Sequence, residues 1–265
     1  RIKSKALLQV PLETDINVSD AKPDVAKVIY DCGKIKVEEL EAVARQIMER
    51  KTALMAGCAG LAGAVSKLVL FQSRPCSCRR RFFPLLVICG SVFPVTRRQI
   101  CYAQRHGFER FSLKSRERTR KGLVQTEEGS CLLSKIKETL RTDAPVIIDT
   151  MGEGAEEEKN RNQEEKARLR QIIADNLGDI INRLVEAGFQ RTIMVIGGDT
   201  LKSVIEKMNC SSVEPVAEIY DGTVLFYLDT KQGIIPVLSK SGGFGEEGLL
   251  VDIENTLKEK EEQLL

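Results

Sequence analysis

Three short glycine-rich turns carry the residues of this sequence that are best suited to binding an anion. The turns read CGS (89–91), IGGDT (196–200) and KSGGFG (240–245), and each follows an apolar run. Glycine lacks a Cβ, so backbone N–H groups can point into a cleft at such turns. Where a helix follows, its unpaired N–H groups and its dipole favour a phosphate. The hydroxyl groups of Ser91 and Thr200 add donors, so the three turns together predict a phosphate site.

Two familiar nucleotide motifs are absent, although a fourth glycine turn, AGCAGLAG (56–63), adds to the set. A P-loop needs its lysine after the glycines, whereas Lys240 precedes Gly242. The GxGxxG fingerprint of dinucleotide-binding proteins is also missing, which leaves an NAD-dependent oxidoreductase without support. A single glycine turn is often only a tight connection between a strand and a helix. The prediction therefore depends on several turns at strand ends, not on one motif.

Short β-branched runs alternate with longer amphipathic runs, which predicts a layered α/β/α fold with a mainly parallel sheet. The predicted strands are 26–32, 52–57, 84–90, 108–113, 145–150, 192–198, 223–229 and 233–239. The predicted helices are 37–51, 61–71, 97–107, 131–141, 167–188, 201–208 and 249–265. Thr96 is expected to cap the helix that follows it. His106, at the end of that helix, is expected to be a C-terminal cap or a surface residue and not a catalytic one. In such sheets ligands bind at the carboxyl ends of strands, where the turns lie.

Composition restricts the classes of partner and the compartment. Among the 265 residues, 40 basic and 38 acidic side chains nearly cancel, so we expect no nucleic-acid partner. No apolar run reaches the roughly 18 residues that a transmembrane helix needs, so we expect no membrane span. The eight cysteines are scattered without a CxxC pair, which favours a reducing cytoplasm and predicts no metal site of cysteine and histidine.

A family resemblance is carried by three segments: LLVICGSVFPVTRRQICYA (85–103), IMVIGGDTLKSVIEKM (193–208) and IPVLSKSGGFGEEGLL (235–250). In the order and spacing of GSxxPxT, GGDT and KSGGFG, the second half resembles the nucleotide-binding domain of the four-carbon acid sugar kinases. VIYDCGKIKVEELEAVARQI (28–47) and LMAGCAGLA (54–62) look like the last part of the domain that precedes it in this family. The resemblance therefore covers most of the chain.

The resemblance implies two domains, with the first one incomplete. Residues 1–74 would be the remainder of the sugar-acid-binding domain, residues 72–81 have linker composition, and residues 82–265 would be the nucleotide-binding domain. The acidic DDxTGA-type segment of the family, expected to bind substrate and supply the base, has no counterpart here. Cys58 stands where the family commonly has a serine. The catalytic residues are accordingly unknown at this stage.

The resemblance also implies an ATP-dependent kinase that uses Mg²⁺ and phosphorylates a four-carbon sugar acid such as threonate, erythronate or 3-oxo-tetronate. The expected partners are ATP and the sugar acid, and a homo-oligomer stays open. By resemblance, the residues in contact with ATP are Ser91, Gly197, Gly198, Asp199, Thr200, Gly242 and Gly243.

Several roles stay open on the sequence alone. Asp199 is either a helix cap or a residue that positions Mg²⁺ or phosphate, with Thr200 as the other candidate cap. Lys240 either neutralises phosphate charge or is a solvated lysine beside a strand. The alternative function is a non-catalytic nucleotide-binding or sensing module, which the missing acidic segment and Cys58 would suit.

Overall fold

The computed structural model describes residues 8–11, 28–31, 37–49, 55, 57, 59–69, 82–153 and 162–262. The chain divides into two compact units, residues 1–75 and residues 76–265. No helix within the described ranges is long and apolar enough to cross a membrane.

The first unit contains a pair of parallel strands and a pair of packed helices. Its elements are β1 (Leu8–Pro11), β2 (Val28–Asp31), α1 (Val37–Glu49) and α2 (Ala59–Leu68). Val43, Ala44 and Ile47 are buried on one face of α1, as the spacing of apolar residues predicts for an amphipathic helix. The strand predicted over 26–32 and the two helices predicted in this unit are confirmed. Apart from Met55 and Gly57, the strand predicted over 52–57 and the linker over 72–81 lie outside the described residues.

The second unit is built on a seven-stranded sheet in the order β4-β5-β3-β6-β9-β8-β7. The strands are β3 (Leu85–Cys89), β4 (Glu109–Ser112), β5 (Val146–Asp149), β6 (Thr192–Ile196), β7 (Ser212–Tyr220), β8 (Thr223–Thr230) and β9 (Gly233–Lys240). The neighbours among β4, β5, β3, β6 and β9 pair in parallel, and β8 and β7 extend the sheet in antiparallel pairing. The predicted α/β fold with a mainly parallel sheet is confirmed.

Helices cover both faces of this sheet. They are α3 (Pro94–Arg105), α4 (Ser115–Arg118), α5 (Glu127–Thr139), α6 (Gln163–Glu186), α7 (Gly198–Lys207) and α8 (Leu249–Glu262), with one 3₁₀ turn at Leu123–Gln125. All five residues of β3 and all five of β6 are buried, as expected for parallel strands covered on both sides. Leu86 and Ile88 pack into one core with α5, α6 and α7, while Val87 packs into the other with α3 and α8.

Several parts of the second unit differ from the prediction, among them helix α6 and strand β7. Helix α6 begins at Gln163 and not at 167, because Asn162 and Glu165 form a capping box in the charged residues before the predicted start. Strand β7 was not predicted, because most of its side chains are exposed and several are polar, among them Glu214 and Glu218. An edge strand of this kind lacks the apolar pattern from which a strand is predicted.

The connections of the central strands open a crevice at one edge of the sheet. After β3 the chain enters α3 on one face, whereas after β6 it enters α7 on the opposite face. After β9 it returns to the first face through α8. Neighbouring strands whose connections diverge leave space at their carboxyl ends, where open α/β sheets bind ligands. The fold therefore places the three glycine turns around this crevice.

Candidate functional site

The three glycine turns begin side by side at the carboxyl edge of the sheet. The N–H of Gly90 donates to the carbonyl oxygen of Ile196 at 3.1 Å, and the N–H of Gly197 donates to that of Lys240 at 3.4 Å. These bonds continue the pairing of β3 with β6 and of β6 with β9 beyond the ends of the strands. The structure thus brings together the turns that are far apart in sequence.

The first two turns approach each other too closely for a side chain between them. A Cβ added to Gly90 would lie 2.2 Å from Thr200 Oγ1. Thr200 is buried and turned toward the first turn. A residue other than glycine at position 90 would force the hydroxyl group of Thr200 out of its present position.

The first and third turns are in contact at Gly242. A Cβ added there would lie 2.1 Å from Ser91 Oγ and 2.7 Å from Phe93 Cδ2. The hydroxyl group of Thr96 donates a hydrogen bond of 2.7 Å to the carbonyl oxygen of Gly242. The expectation that Thr96 caps a helix is wrong: α3 begins earlier, with Pro94 in its first turn and Phe93 as its N-cap. Proline suits that position because the first helical N–H has no partner within the helix.

Gln99 holds the third turn against α3, and the sequence analysis did not single it out. Its Nε2 group donates to the carbonyl oxygens of Phe244, Gly245 and Glu246 at 3.1, 3.0 and 2.9 Å. The side chain is fully buried. The one available signal was that Gln99 lies one helical turn after Thr96, so that both side chains share a face of α3.

The N-terminus of α7 receives no side-chain cap. Its N-cap is Gly197, with φ of 118°, a conformation that favours glycine. Neither Asp199 nor Thr200 caps the helix, so the expectation of a cap from either one is wrong. Gly198 and Asp199 are exposed. The first N–H groups of α7 are therefore free of side-chain caps and suit an anion.

A cavity of about 820 Å³ opens beside these turns, between the starts of α3, α6 and α7. Five cationic side chains line it: Arg97, Arg98, Arg118, Lys166 and Arg170. Asp199 is the one carboxylate in the lining among the described residues. Within the described ranges, Arg97, Arg98, Lys166 and Arg170 form no ion pair. The lining formed by the described residues is therefore electropositive and suits a polyanion.

Arg118 is the most deeply buried of these cations. It is 1% exposed, and its Nη1 group donates to the carbonyl oxygens of Leu113, Gly152 and Glu153 at 3.2, 3.3 and 3.5 Å. It ties the segment after β5 to the segment after β4, and it lines the cavity. This residue lies in α4, a helix that the sequence pattern did not predict.

Asp149 is the buried carboxylate at the end of β5, and its oxygens are occupied. Arg110 Nε donates to its Oδ2 at 2.6 Å, and Ser112 Oγ and the N–H of Met151 donate to its Oδ1 at 2.7 Å each. The hydrogen bond that Arg110 donates to Asp149 raises the pKa of Arg110. Asp149 thus joins β4 to β5 directly before Thr150 and Met151, which line the cavity.

Lys240 is buried at the end of β9. It is 3% exposed, and its Nζ donates to the carbonyl oxygen of Ser241 at 2.9 Å. Burial lowers its pKa from 10.5 to about 8, against the opposing effect of the Cys89 thiol. Burial likewise raises the pKa of Cys89 to about 12. The interpretation of Lys240 as a solvated lysine is wrong, and a phosphate contact from it stays a prediction.

The predicted site residues gather at this edge of the sheet. Ser91, Thr200 and Gly242 lie in the packed contacts between turns, and an added Cβ at Gly198 or Gly243 would meet nothing within 4 Å. Their contact with ATP stays a prediction. His106, in contrast, lies at the C-terminal end of α3 as its C-cap, which confirms the structural role expected for it.

Three features meet at the crevice where the connections of β3 and β6 diverge: glycine turns, an uncapped helix N-terminus and a cavity lined by cations. Together they are typical of an α/β protein that binds a phosphorylated ligand. The sequence profile of the nucleotide-binding C-terminal domain matches residues 86–250. The chain belongs to this family, the C-terminal domain of the four-carbon acid sugar kinases.

Known proteins resemble parts of the chain at low identity. It is 24% identical over 236 residues to the D-threonate kinase of Salmonella typhimurium, a match that covers 82% of this chain and 52% of that enzyme. It is 32% identical over 89 residues to the D-threonate kinase of Bordetella bronchiseptica, covering 33% of this chain and 22% of the enzyme. The chain thus spans about half the length of the Salmonella enzyme.

A solved structure from Bordetella bronchiseptica supports the fold. It is a domain of unknown function, crystallised with bound citrate as a domain-swapped dimer, and matches with a TM-score of 0.54 and 20% identity. The match covers 95% of this chain and 59% of that one. At this level of identity the likeness concerns the fold alone.

The contact at Gly242 predicts that alanine substitutions at two adjacent glycines have different effects on stability. Gly242→Ala places a methyl group against Ser91 and Phe93, so we expect the free energy of unfolding to fall by about 1–3 kcal/mol. Gly243→Ala meets open space and should change it by no more than about 0.5 kcal/mol. Urea unfolding measures both. Equal effects of the two substitutions would contradict the described packing of the turns.

Burial of Lys240 predicts a pH dependence of stability. Between its folded pKa of about 8 and its unfolded value of 10.5, the unfolded chain binds more protons, so stability rises with pH. Relative to Lys240→Met, the wild-type free energy of unfolding should rise by up to ~1.4 kcal/mol per pH unit in this window. Urea unfolding from about pH 7 to pH 10 measures the difference.

The control removes the same charge from the exposed turn between β8 and β9. For Lys231→Met, the free energy of unfolding should change with pH in parallel with the wild type. If the free energy of unfolding of Lys240→Met also ran parallel to the wild type, the Lys240 ammonium group would not be desolvated in the folded protein.

Proposed function

We propose that this chain is the nucleotide-binding part of an ATP-dependent kinase that phosphorylates a four-carbon sugar acid. The observation that carries the proposal is the uncapped N-terminus of α7, which lies between two glycine turns and faces a cavity with five cationic side chains. Membership of the family and the similarity to two D-threonate kinases support the same class of reaction. Threonate, erythronate and 3-oxo-tetronate are the proposed acceptors.

Each part of the site has a role in phosphoryl transfer. The N–H groups of α7 and the hydroxyl group of Thr200 would orient phosphate oxygens, and the cationic side chains would neutralise their charge. In the transfer, the acceptor oxygen bonds to the γ-phosphorus while the bond to the β,γ-bridging oxygen breaks and ADP leaves. The acceptor hydroxyl group loses its proton, and we assign no base for it among the described residues.

The residues present fit a Mg²⁺ ion that arrives with the nucleotide. Mg²⁺ in nucleotide sites is held by one or two carboxylates together with phosphate oxygens and water. Asp199 supplies one carboxylate at the cavity. The described residues contain no cluster of three acidic, histidine or cysteine side chains that would hold a metal without the nucleotide. Held in part by Asp199, the ion would offset the charge of the phosphate groups.

The proposal includes partners and a compartment. The Bordetella protein that shares the fold binds citrate and forms a domain-swapped dimer, which supports a carboxylic acid ligand and a homo-oligomer for this chain. The described thiols of Cys89, Cys101, Cys131 and Cys210 are free, which supports the cytoplasm as the compartment.

Calorimetric titration with Mg·ATP tests the proposal. The wild-type chain should bind ATP at millimolar or lower concentration, and Gly198→Val/Gly243→Val should weaken binding by about 10-fold or more, since both valines fill open space beside the phosphates. Gly63→Val, which also meets open space but belongs to none of the three turns, is the matched control. Circular dichroism verifies that each variant is folded.

Two results would count against the proposal. A folded wild-type chain that binds no ATP at millimolar concentration would contradict it, and so would unchanged affinity in the folded double variant. ADP release in the presence of threonate or erythronate separates the alternatives. If the chain binds ATP but releases no ADP with either sugar acid, the result would favour a non-catalytic nucleotide-binding module.

A further inference from the structure

Two exposed aromatic rings lie on the first and third glycine turns. Phe93 is 58% exposed and Phe244 is 52% exposed, and neighbouring Val92 is exposed as well. Large apolar side chains that remain this exposed beside a binding crevice are typical of a ligand contact. Neither ring is needed to fill the two hydrophobic cores that cover the sheet, since both cores are formed by other residues.

Each ring is seated on a glycine. Phe93 Cδ2 lies 2.7 Å from the position that a Cβ of Gly242 would occupy. Phe244 lies 2.9 Å from the corresponding position at Gly222, in the turn between β7 and β8. The glycines let the rings lie directly on the backbone, which fixes them while a large part of each ring stays exposed. A fixed and exposed aromatic ring is a surface on which a nucleobase stacks.

Phe244 and the cationic lining lie toward opposite sides of the α7 N-terminus, whereas Phe93 stands between Val92 and Pro94, which line the cavity. Along the order β5-β3-β6-β9-β8, the cavity occupies the side of β5 and β3, with Thr150 and Gly90 in its lining. Phe244 and Gly222 occupy the side of β9 and β8. With strands about 4.8 Å apart, three to four strand spacings separate β8 from β3 and β5, roughly 14–19 Å. An extended nucleoside triphosphate has a comparable length.

We propose that the nucleotide lies across the strand ends in one direction, with its base on Phe244 and its triphosphate pointing toward α6. The α- and β-phosphates then pass the N-terminus of α7, and the terminal phosphate reaches Lys166 and Arg170. This orientation rests on the proposed function. It also sets the entry of the phosphate acceptor, which approaches from the side of β5 and α6, beside Thr150 and Arg118.

The test compares nucleotides that differ in the number of phosphates. Affinities are measured by calorimetric titration with ATP, ADP and AMP. The double substitution Lys166→Ala/Arg170→Ala should weaken the affinity for ATP by about 10-fold or more and the affinity for AMP by less than about 3-fold. Arg168→Ala is the matched control, because Arg168 is an exposed cation on the same helix outside the cavity. It should leave all three affinities unchanged.

The base contact is tested by an effect that does not depend on the number of phosphates. Phe244→Ala should weaken the affinities for ATP, ADP and AMP by the same factor, about 10-fold, as expected for one lost stacking partner. Phe244→Tyr retains the ring and should bind as the wild type does. Inorganic tripolyphosphate has no base, so its binding should be unchanged in Phe244→Ala and strongly reduced in Lys166→Ala/Arg170→Ala.

The outcomes separate the two proposals. If the wild type binds no nucleotide, the proposed function is overturned. If it binds ATP but Lys166→Ala/Arg170→Ala weakens all three nucleotides equally or none of them, the orientation alone is overturned. An unchanged affinity of Phe244→Ala for every nucleotide would also overturn it.

Discussion

The close packing of three glycine turns is the constraint on which the site depends. Gly90 allows Thr200 to approach β3, and Gly242 allows the third turn to rest on Ser91. The hydrogen bond from Thr96 to the carbonyl oxygen of Gly242 joins the third turn to α3. A protein interior tolerates little change of volume at such contacts. The α7 N-terminus is therefore held between two turns that cannot separate without losing these contacts.

The positive charge of the cavity lining is the second main feature of the site. The cations at the cavity come from α3, α4 and α6, elements that the fold brings together around the diverging connections of β3 and β6. Lys240 adds a buried amine beneath the third turn. The four lining cations of α3 and α6 form no ion pair with another described residue, and like charges repel one another, so this arrangement opposes folding unless an anion binds. A bound polyphosphate would relieve the repulsion, which links ligand binding to the stability of this edge of the sheet.

The sequence was sufficient to predict those strands and helices whose own residues show the expected spacing of apolar side chains. β3 and β6 are continuous apolar runs that end in glycine, and both were predicted with their turns. The meeting of the turns followed from the shared carboxyl edge of parallel strands. Strand β7 escaped prediction because its exposed edge carries polar residues.

The parts of the site that could not be predicted depend on contacts between distant segments. Gln99 binds carbonyl groups of residues 244–246, and nothing in its local sequence indicates that partner. Lys166 and Arg170 lie in a run of mixed charges that is typical of a solvated face, and only the fold shows that they line a cavity. The exposure of Phe93 and Phe244 likewise becomes visible only once the two cores are known to be filled by other residues.

Amide chemical-shift mapping with Mg²⁺ and a non-hydrolysable ATP analogue tests the central claim most directly. The account predicts that the largest shifts occur at the N–H groups of Gly198, Asp199, Gly242 and Gly243. A smaller cavity of about 290 Å³ lies at the opposite end of the sheet, lined in part by Phe189 and Pro236. Shifts confined to that cavity, with the three glycine turns unaffected, would contradict the account.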